Sequence, residues 1–201
     1  MTKTNDIKII TPREAAPALR IPLAGGGVYD LSQDKPSLMS MIVFYRGLHC
    51  QQCQSYLGDL ENKLSEFDKR GITSVAVSCD SAERGEQTPG EWGLAKLRVG
   101  YGLSPVEARA WGLFLTEGRP RASGMSEPDV CCEPAVFLIA PDKTLWFSSI
   151  QNMAFARPRF EDLIEGFEFL FARGYFRDKP CPARGELLRA PAQNGAPHKA
   201  H

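Results

Sequence analysis

Apolar positions along this chain follow two rhythms, and the switches between them outline a fold. Residues 40–45 (Ser-Met-Ile-Val-Phe-Tyr) form a short, bounded apolar run, the mark of a strand covered on both faces. Beyond it, Leu57, Leu60, Leu64 and Phe67 recur at steps of three and four with charges between them, and Gly71 follows. That stripe predicts an amphipathic helix with a glycine stop. Residues 72–78 are a second apolar run. Strand, helix and strand at these lengths predict a βαβ unit, hence parallel pairing and a right-handed crossover.

The same patterning predicts helices over 90–97 and 105–112, then a hairpin of strands 134–140 and 144–150 around Pro141-Asp142-Lys143. A closing helix starts near Pro158 and carries Phe160, Leu163, Ile164, Phe167 and Leu170 on one face. Ahead of the βαβ unit, residues 7–10, 21–23 and 28–31 are short extended candidates. Gly25-Gly26-Gly27 then reads as a hairpin turn, since no Lys-Ser/Thr and no helix follow it to make a phosphate cradle. Residues 116–130, rich in Gly, Pro, Ser and charge, form a long loop and a candidate lid. From Arg177 the Pro-, Ala- and Gly-rich composition predicts disorder. The expected organisation is one domain over 1–176 and a disordered tail over 177–201.

Composition narrows the function classes. The 201 residues are 43% hydrophobic and 24% charged, and 24 basic residues balance 24 acidic ones, so nothing favours nucleic acid or an anionic membrane. No apolar run approaches the roughly 20 residues of a membrane helix. Residues 1–10 carry neither an apolar core nor a small-residue cleavage site. The expected location is the cytoplasm, where disulfides are transient and catalytic, so six cysteines call for chemical explanations.

Two of them, Cys50 and Cys53, enclose Gln-Gln between the first core strand and the amphipathic helix. A helix N-terminus offers positive potential, and the thiolate is the reactive form of cysteine. Cys50, preceded by His49, stands at the helix entrance; Cys53 lies four residues before Leu57 and so faces inward. The asymmetry predicts that Cys50 attacks a disulfide and Cys53 resolves the mixed disulfide. Two other readings of the pair stay open: a zinc half-site and a reduced, purely structural pair. Zinc needs a second ligand pair, for which the chain offers adjacent Cys131-Cys132, Cys79, Cys181 and tail histidines, so no metal is expected. Cys79, Cys131 and Cys132 read as packing thiols, and Arg157 and Arg159 as surface residues at the entrance of the last helix.

A C-x-x-C beside a βαβ unit, followed by a hairpin and a closing helix, resembles the thioredoxin arrangement. More specifically, Phe44-Tyr45-Arg46 through Cys53, residues 75–81 (Val-Ala-Val-Ser-Cys-Asp-Ser) and residues 137–142 (Phe-Leu-Ile-Ala-Pro-Asp) resemble the peroxiredoxin (AhpC/TSA-type) branch of that superfamily. The resemblance runs from about residue 20 to 172. Counted from Tyr45, it implies that the peroxidatic position is Cys53. The chain departs from the family with Arg46 in place of a proline, Cys50 in place of a supporting threonine, and Glu133-Pro134 where an active-site arginine is expected. Those groups position a peroxide and polarise its O–O bond, so their loss favours disulfide exchange. Arg46 is a candidate replacement guanidinium. Pro134 matches the cis-proline that faces the dithiol in thioredoxins, and Cys181-Pro182-Ala183 resembles a C-terminal resolving cysteine.

The combined reading is an α/β, thioredoxin-like fold, a central mixed sheet flanked by helices, with an N-terminal peroxiredoxin-type β extension. Its first function is a thiol oxidoreductase that cycles Cys50 and Cys53 and reduces disulfides, with Arg46, His49 and Pro134 supporting. The alternative is hydroperoxide reduction with Cys53 peroxidatic and Cys50 or Cys181 resolving. A non-catalytic redox-sensing or zinc-holding interaction protein is the third. No cofactor is implied; the resemblance implies a thioredoxin or glutathione system as reductant, and a homodimer as one form of assembly.

Overall fold

The βαβ unit sits at the centre of the molecule because its first strand is covered on both faces. In a computed structural model that describes residues 9–119 and 125–176, the chain runs β1 (Arg20–Pro22), β2 (Val28–Asp30), β3 (Met39–Phe44), α1 (Gln51–Lys69), β4 (Ile72–Val77), α2 (Ala82–Trp92), β5 (Arg98–Gly100), α3 (Pro105–Ala110), β6 (Leu115–Glu117), β7 (Val130–Cys132), β8 (Ala135–Ile139), β9 (Leu145–Ile150) and α4 (Phe160–Ala172). The main sheet has the order β5-β4-β3-β8-β9. β3 is parallel to β4 and antiparallel to β8, so the sheet is mixed.

Side chains of β3 alternate between two cores, as the period of a strand requires. Met41 and Val43 pack with Leu57, Leu60 and Phe67 of α1 and Phe160 and Phe167 of α4. Ile42 and Phe44 pack on the opposite face with Val75, Val77, Phe137 and Trp111. There the rings of Phe44, Trp111 and Phe137 meet at centroid distances of 5.0–5.7 Å, in tilted and edge-on contacts. α1 presents Cys53, Leu57, Leu60, Leu64 and Phe67 to the first core, which fixes the rotation of the helix about its axis.

Gly25, Gly26 and Gly27 all adopt positive φ in the turn joining β1 to β2, the antiparallel pair of the N-terminal extension. Two expectations are corrected. The second helix covers Ala82–Trp92 rather than 90–97. Ser81 caps it by accepting the Arg84 N–H, and Gly93 ends it in a left-handed conformation. Residues 95–97 instead donate their backbone N–H groups to the Glu61 carboxylate of α1, at 2.8–3.1 Å, and lead into β5. The Gly-Pro content of α2 hides it from propensity. Gly85 is required there because a Cβ would sit 2.3 Å from Tyr101 Cβ. The second correction concerns the 116–130 stretch: its ends are ordered as β6 and β7, an antiparallel pair that carries Cys131 and Cys132. Among the described residues no helix is long and apolar enough to cross a membrane. The tail from 177, with Cys181, lies outside the described residues.

Candidate active site

β3 delivers the chain into a tight turn, residues 45–49, from which α1 departs. Its anchor is Asp80, a fully buried carboxylate beyond the end of β4. Asp80 Oδ2 accepts the Leu48 N–H at 2.8 Å and the Ser78 hydroxyl at 3.2 Å. Gly47 makes this approach possible: its φ is +123°, and a Cβ would lie 2.5 Å from Asp80 Oδ1. Gly47→Ala is expected to destabilise the fold by about 2–4 kcal/mol, combining left-handed strain with overpacking. Urea unfolding checks it; a change within about 0.5 kcal/mol, the range of a neutral surface substitution, would show that the turn is not held this way.

Cys50 is the N-cap of α1, and its Sγ accepts the Cys53 N–H at 3.2 Å. Cys50 is 5% exposed and Cys53 fully buried. The Cys53 thiol donates to Cys50, and with the Cys53 N–H, Arg157 and Arg46 it brings the Cys50 thiol down to about 6, against the resistance of burial. Cys53 moves the other way, well above an ordinary thiol, through burial and the neighbouring Cys50. At neutral pH the pair therefore holds a thiolate on Cys50 and a proton on Cys53. His49 is buried beside Cys50 in the same turn.

The guanidinium that touches the sulfurs is Arg157. Its Nη2 lies 3.3 Å from Cys53 Sγ and 3.9 Å from Cys50 Sγ. Sequence patterning had placed Arg157 on the surface; the structure corrects this, because the loop after β9 folds back over the start of α1. Ala156, immediately before it, has φ +65°, a conformation unfavourable for a residue with a Cβ. Tyr56, one turn beyond Cys53, steadies the arginine. Its ring lies 5.4 Å from the Arg157 guanidinium carbon and its hydroxyl donates to the Pro158 carbonyl at 2.7 Å. The ring also stacks on Phe160 at 4.4 Å. A tyrosine at that spacing was the only sequence hint, and nothing in the pattern ties it to an arginine 101 positions later.

Arg46 is placed differently. Its side chain is clasped by Glu127 and Glu133, each at 3.4 Å, and all three are largely buried. Glu133 is steadied in turn by the Thr116 hydroxyl at 2.6 Å. Arg46 thus adds positive potential near Cys50 and ties the 116–130 segment to the active-site turn. Pro134 is a correction: none of the described peptide bonds is cis. Ala135 pairs with Phe44, so Pro134 flanks the strand end above Tyr45. Its carbonyl accepts the Gln151 N–H at 2.9 Å, an ordinary ladder bond into which a trans proline fits at the head of a strand. Among the described residues no three His, Cys, Asp or Glu side chains gather as metal ligands.

The peroxiredoxin 6 of Arenicola marina, as a cysteine-to-serine variant, superposes with a TM-score of 0.65 at 19% identity, covering 89% of this chain and 80% of that one. AhpC of Enterococcus faecalis gives 0.63 at 19%, covering 87% and 100%, and PrxQ of Xylella fastidiosa gives 0.62 at 13%, covering 81% and 98%. At these identities the likeness is one of fold. No curated protein matches the sequence significantly. The AhpC/TSA family model matches residues 12–147, well over half of the chain and including the whole dithiol turn. The chain therefore belongs to the AhpC/TSA family, and with its dithiol it is a thiol-dependent oxidoreductase.

Proposed function

We propose that the enzyme reduces hydroperoxides, with Cys50 attacking and Cys53 resolving. The single observation that carries this reading is the Arg157 guanidinium, within 3.3 and 3.9 Å of the two sulfurs. The departures from the family pattern had favoured disulfide exchange because an arginine was missing at 133–134; Arg157 supplies that charge from another part of the chain. The thiolate on Cys50 attacks the terminal peroxide oxygen, the O–O bond breaks, and the departing alkoxide takes a proton to leave as alcohol. Negative charge develops on the leaving oxygen, and a guanidinium beside the sulfur stabilises it. Cys53, freed of its proton, then attacks the Cys50 sulfenic acid, the S–S bond forms, and water leaves. A thioredoxin-type dithiol restores both thiols by exchange. The 5% exposure of Cys50 supports a small substrate over the disulfide of a folded protein.

Disulfide exchange is the second reading, supported by the capped, depressed Cys50 thiol, which is also a good leaving group. Stopped-flow Trp fluorescence of the reduced enzyme separates the two. Hydrogen peroxide is expected to oxidise Cys50 at least about 10²-fold faster than glutathione disulfide at equal concentration, the scale of one well-placed cation. The opposite order would assign the enzyme to disulfide exchange.

A further inference from the structure

Asp80 anchors the active-site turn, but its chemistry exceeds what packing there requires. The carboxylate is fully buried, and its second oxygen, Oδ1, accepts no hydrogen bond among the described residues. Burying a carboxylate with one oxygen unpaired costs desolvation, so a small neutral side chain would fill the space at less expense. What the carboxylate holds is one peptide plane. Oδ2 accepts the Leu48 N–H at 2.8 Å, and at the other end of the same Gly47–Leu48 peptide the Gly47 carbonyl accepts the Cys50 N–H at 3.0 Å. The Cys50 carbonyl in turn accepts the Cys53 and Gln54 N–H groups, at 2.9 and 3.1 Å. Cys50 is therefore clamped between α1 on one side and, on the other, a peptide whose orientation Asp80 sets. The mount itself is fixed. The Asp80 carbonyl accepts the Gly102 N–H at 2.9 Å, and the Asp80 N–H donates to the Ser78 hydroxyl at 3.3 Å.

We propose that Asp80 is a positioning residue for the attacking sulfur of Cys50, acting on it through the Gly47–Leu48 peptide. Without an acceptor for the buried Leu48 N–H the peptide rotates, and the Cys50 N–H loses the Gly47 carbonyl. The sulfur then leaves its place beside the Arg157 guanidinium, 3.9 Å away. Displacements of this kind are felt in rate even when they begin away from the reacting atoms. The thiolate also loses support, because Cys53, Arg157 and Arg46 sustain it only from their present places around the sulfur. The inference rests on Cys50 being the attacking thiol, and not on which substrate it attacks.

The test follows iodoacetamide alkylation of the reduced full chain against pH, with mass mapping to read Cys50 by itself. Asp80→Ala is expected to raise the Cys50 midpoint by about one pH unit, which slows its alkylation about tenfold at pH 5, below both midpoints. Asp80→Asn keeps an acceptor for the Leu48 N–H in the same shape and is expected to restore the midpoint to within about 0.3 unit of wild type. A wild-type midpoint in folded Asp80→Ala, whatever its loss of stability, would make Asp80 merely structural and overturn the proposal. Equal shifts in the two variants would overturn the route through the Leu48 N–H. Amide exchange of the reduced wild-type chain needs no variant to fold. The Leu48 N–H is expected to exchange as slowly as the amides in the middle of α1, and exchange at the rate of an exposed turn would refute the hold on the peptide. Alkylation of Cys53 in place of Cys50 in the wild type is a separate outcome, which would overturn the assignment of the attacking thiol and this proposal with it.

Discussion

Cys50→Ser is expected to stop turnover, by about 10³-fold or more, the scale on which loss of an attacking nucleophile is felt. Cys53→Ser is expected to leave the first oxidation of Cys50 within a few-fold of wild type and to halt the cycle after it, with the Cys50 sulfenic acid trapped by dimedone. The asymmetry follows from the two environments. Cys50 receives the Cys53 N–H and the Cys53 thiol as donors, whereas Cys53 is fully buried and keeps its proton. The family register gives the peroxidatic role to Cys53 instead. Rapid single-turnover oxidation of Cys50→Ser, with none in Cys53→Ser, would establish that role and sink the assignment made here. Serine in place of Cys53 keeps the N–H donor and offers a hydroxyl where the thiol was, so the Cys50 thiolate is expected to stay supported.

Arg157→Gln is the second substitution with a large effect: a loss of about 10–10²-fold in the rate of Cys50 oxidation at pH 7, with an upward shift of its pH profile. The sign follows from the thiolate. Cys50 is lowered from an ordinary 9.0 to about 6, so the reactive fraction in the wild type climbs through pH 6 and is nearly complete by pH 8. Oxidation or iodoacetamide alkylation should follow the same curve, rising with pH and then flat. Removing a cation 3.9 Å from the sulfur disfavours the thiolate, so the rise moves to higher pH and the rate at pH 7 falls. Part of the loss should persist at pH 9, where the thiolate is formed in both proteins, because the guanidinium also stabilises the leaving oxygen. A mutant profile that overlays the wild type at every pH would remove Arg157 from the chemistry. Arg157→Lys keeps the charge without the planar fork and is expected to fall between the two.

The pieces of this enzyme legible in its sequence are those governed by local periodicity. The run of β3, the stripe of α1 and the run of β4 each state their own environment, and their order forces the crossover. The dithiol's polarity was equally legible, because cap position and helical spacing decide which cysteine meets the turn and which the core. The second helix was not: its caps at Ser81 and Gly93 are correct, but Gly85, Pro89 and Gly90 mask the stretch between them. Gly85 is there for Tyr101, a contact that no window of sequence contains. Pro134 failed as a cis-proline for a related reason, since the isomer is set by the strand it joins and not by the residues beside it.

The charges around the sulfurs divide along the same line. Sequence alone determined that a strand, a C-x-x-C turn and an amphipathic helix would place one thiol at the helix entrance and the other on its inward face. Tertiary structure decided which arginine serves them. Arg46, two residues beyond β3 in the turn itself, is drawn to Glu127 and Glu133, whereas Arg157 arrives from the far side of the chain on the ring of Tyr56. Periodicity reports which face of its own element a residue occupies; electrostatics at a site depends on distance in space, which loops set and periodicity does not encode.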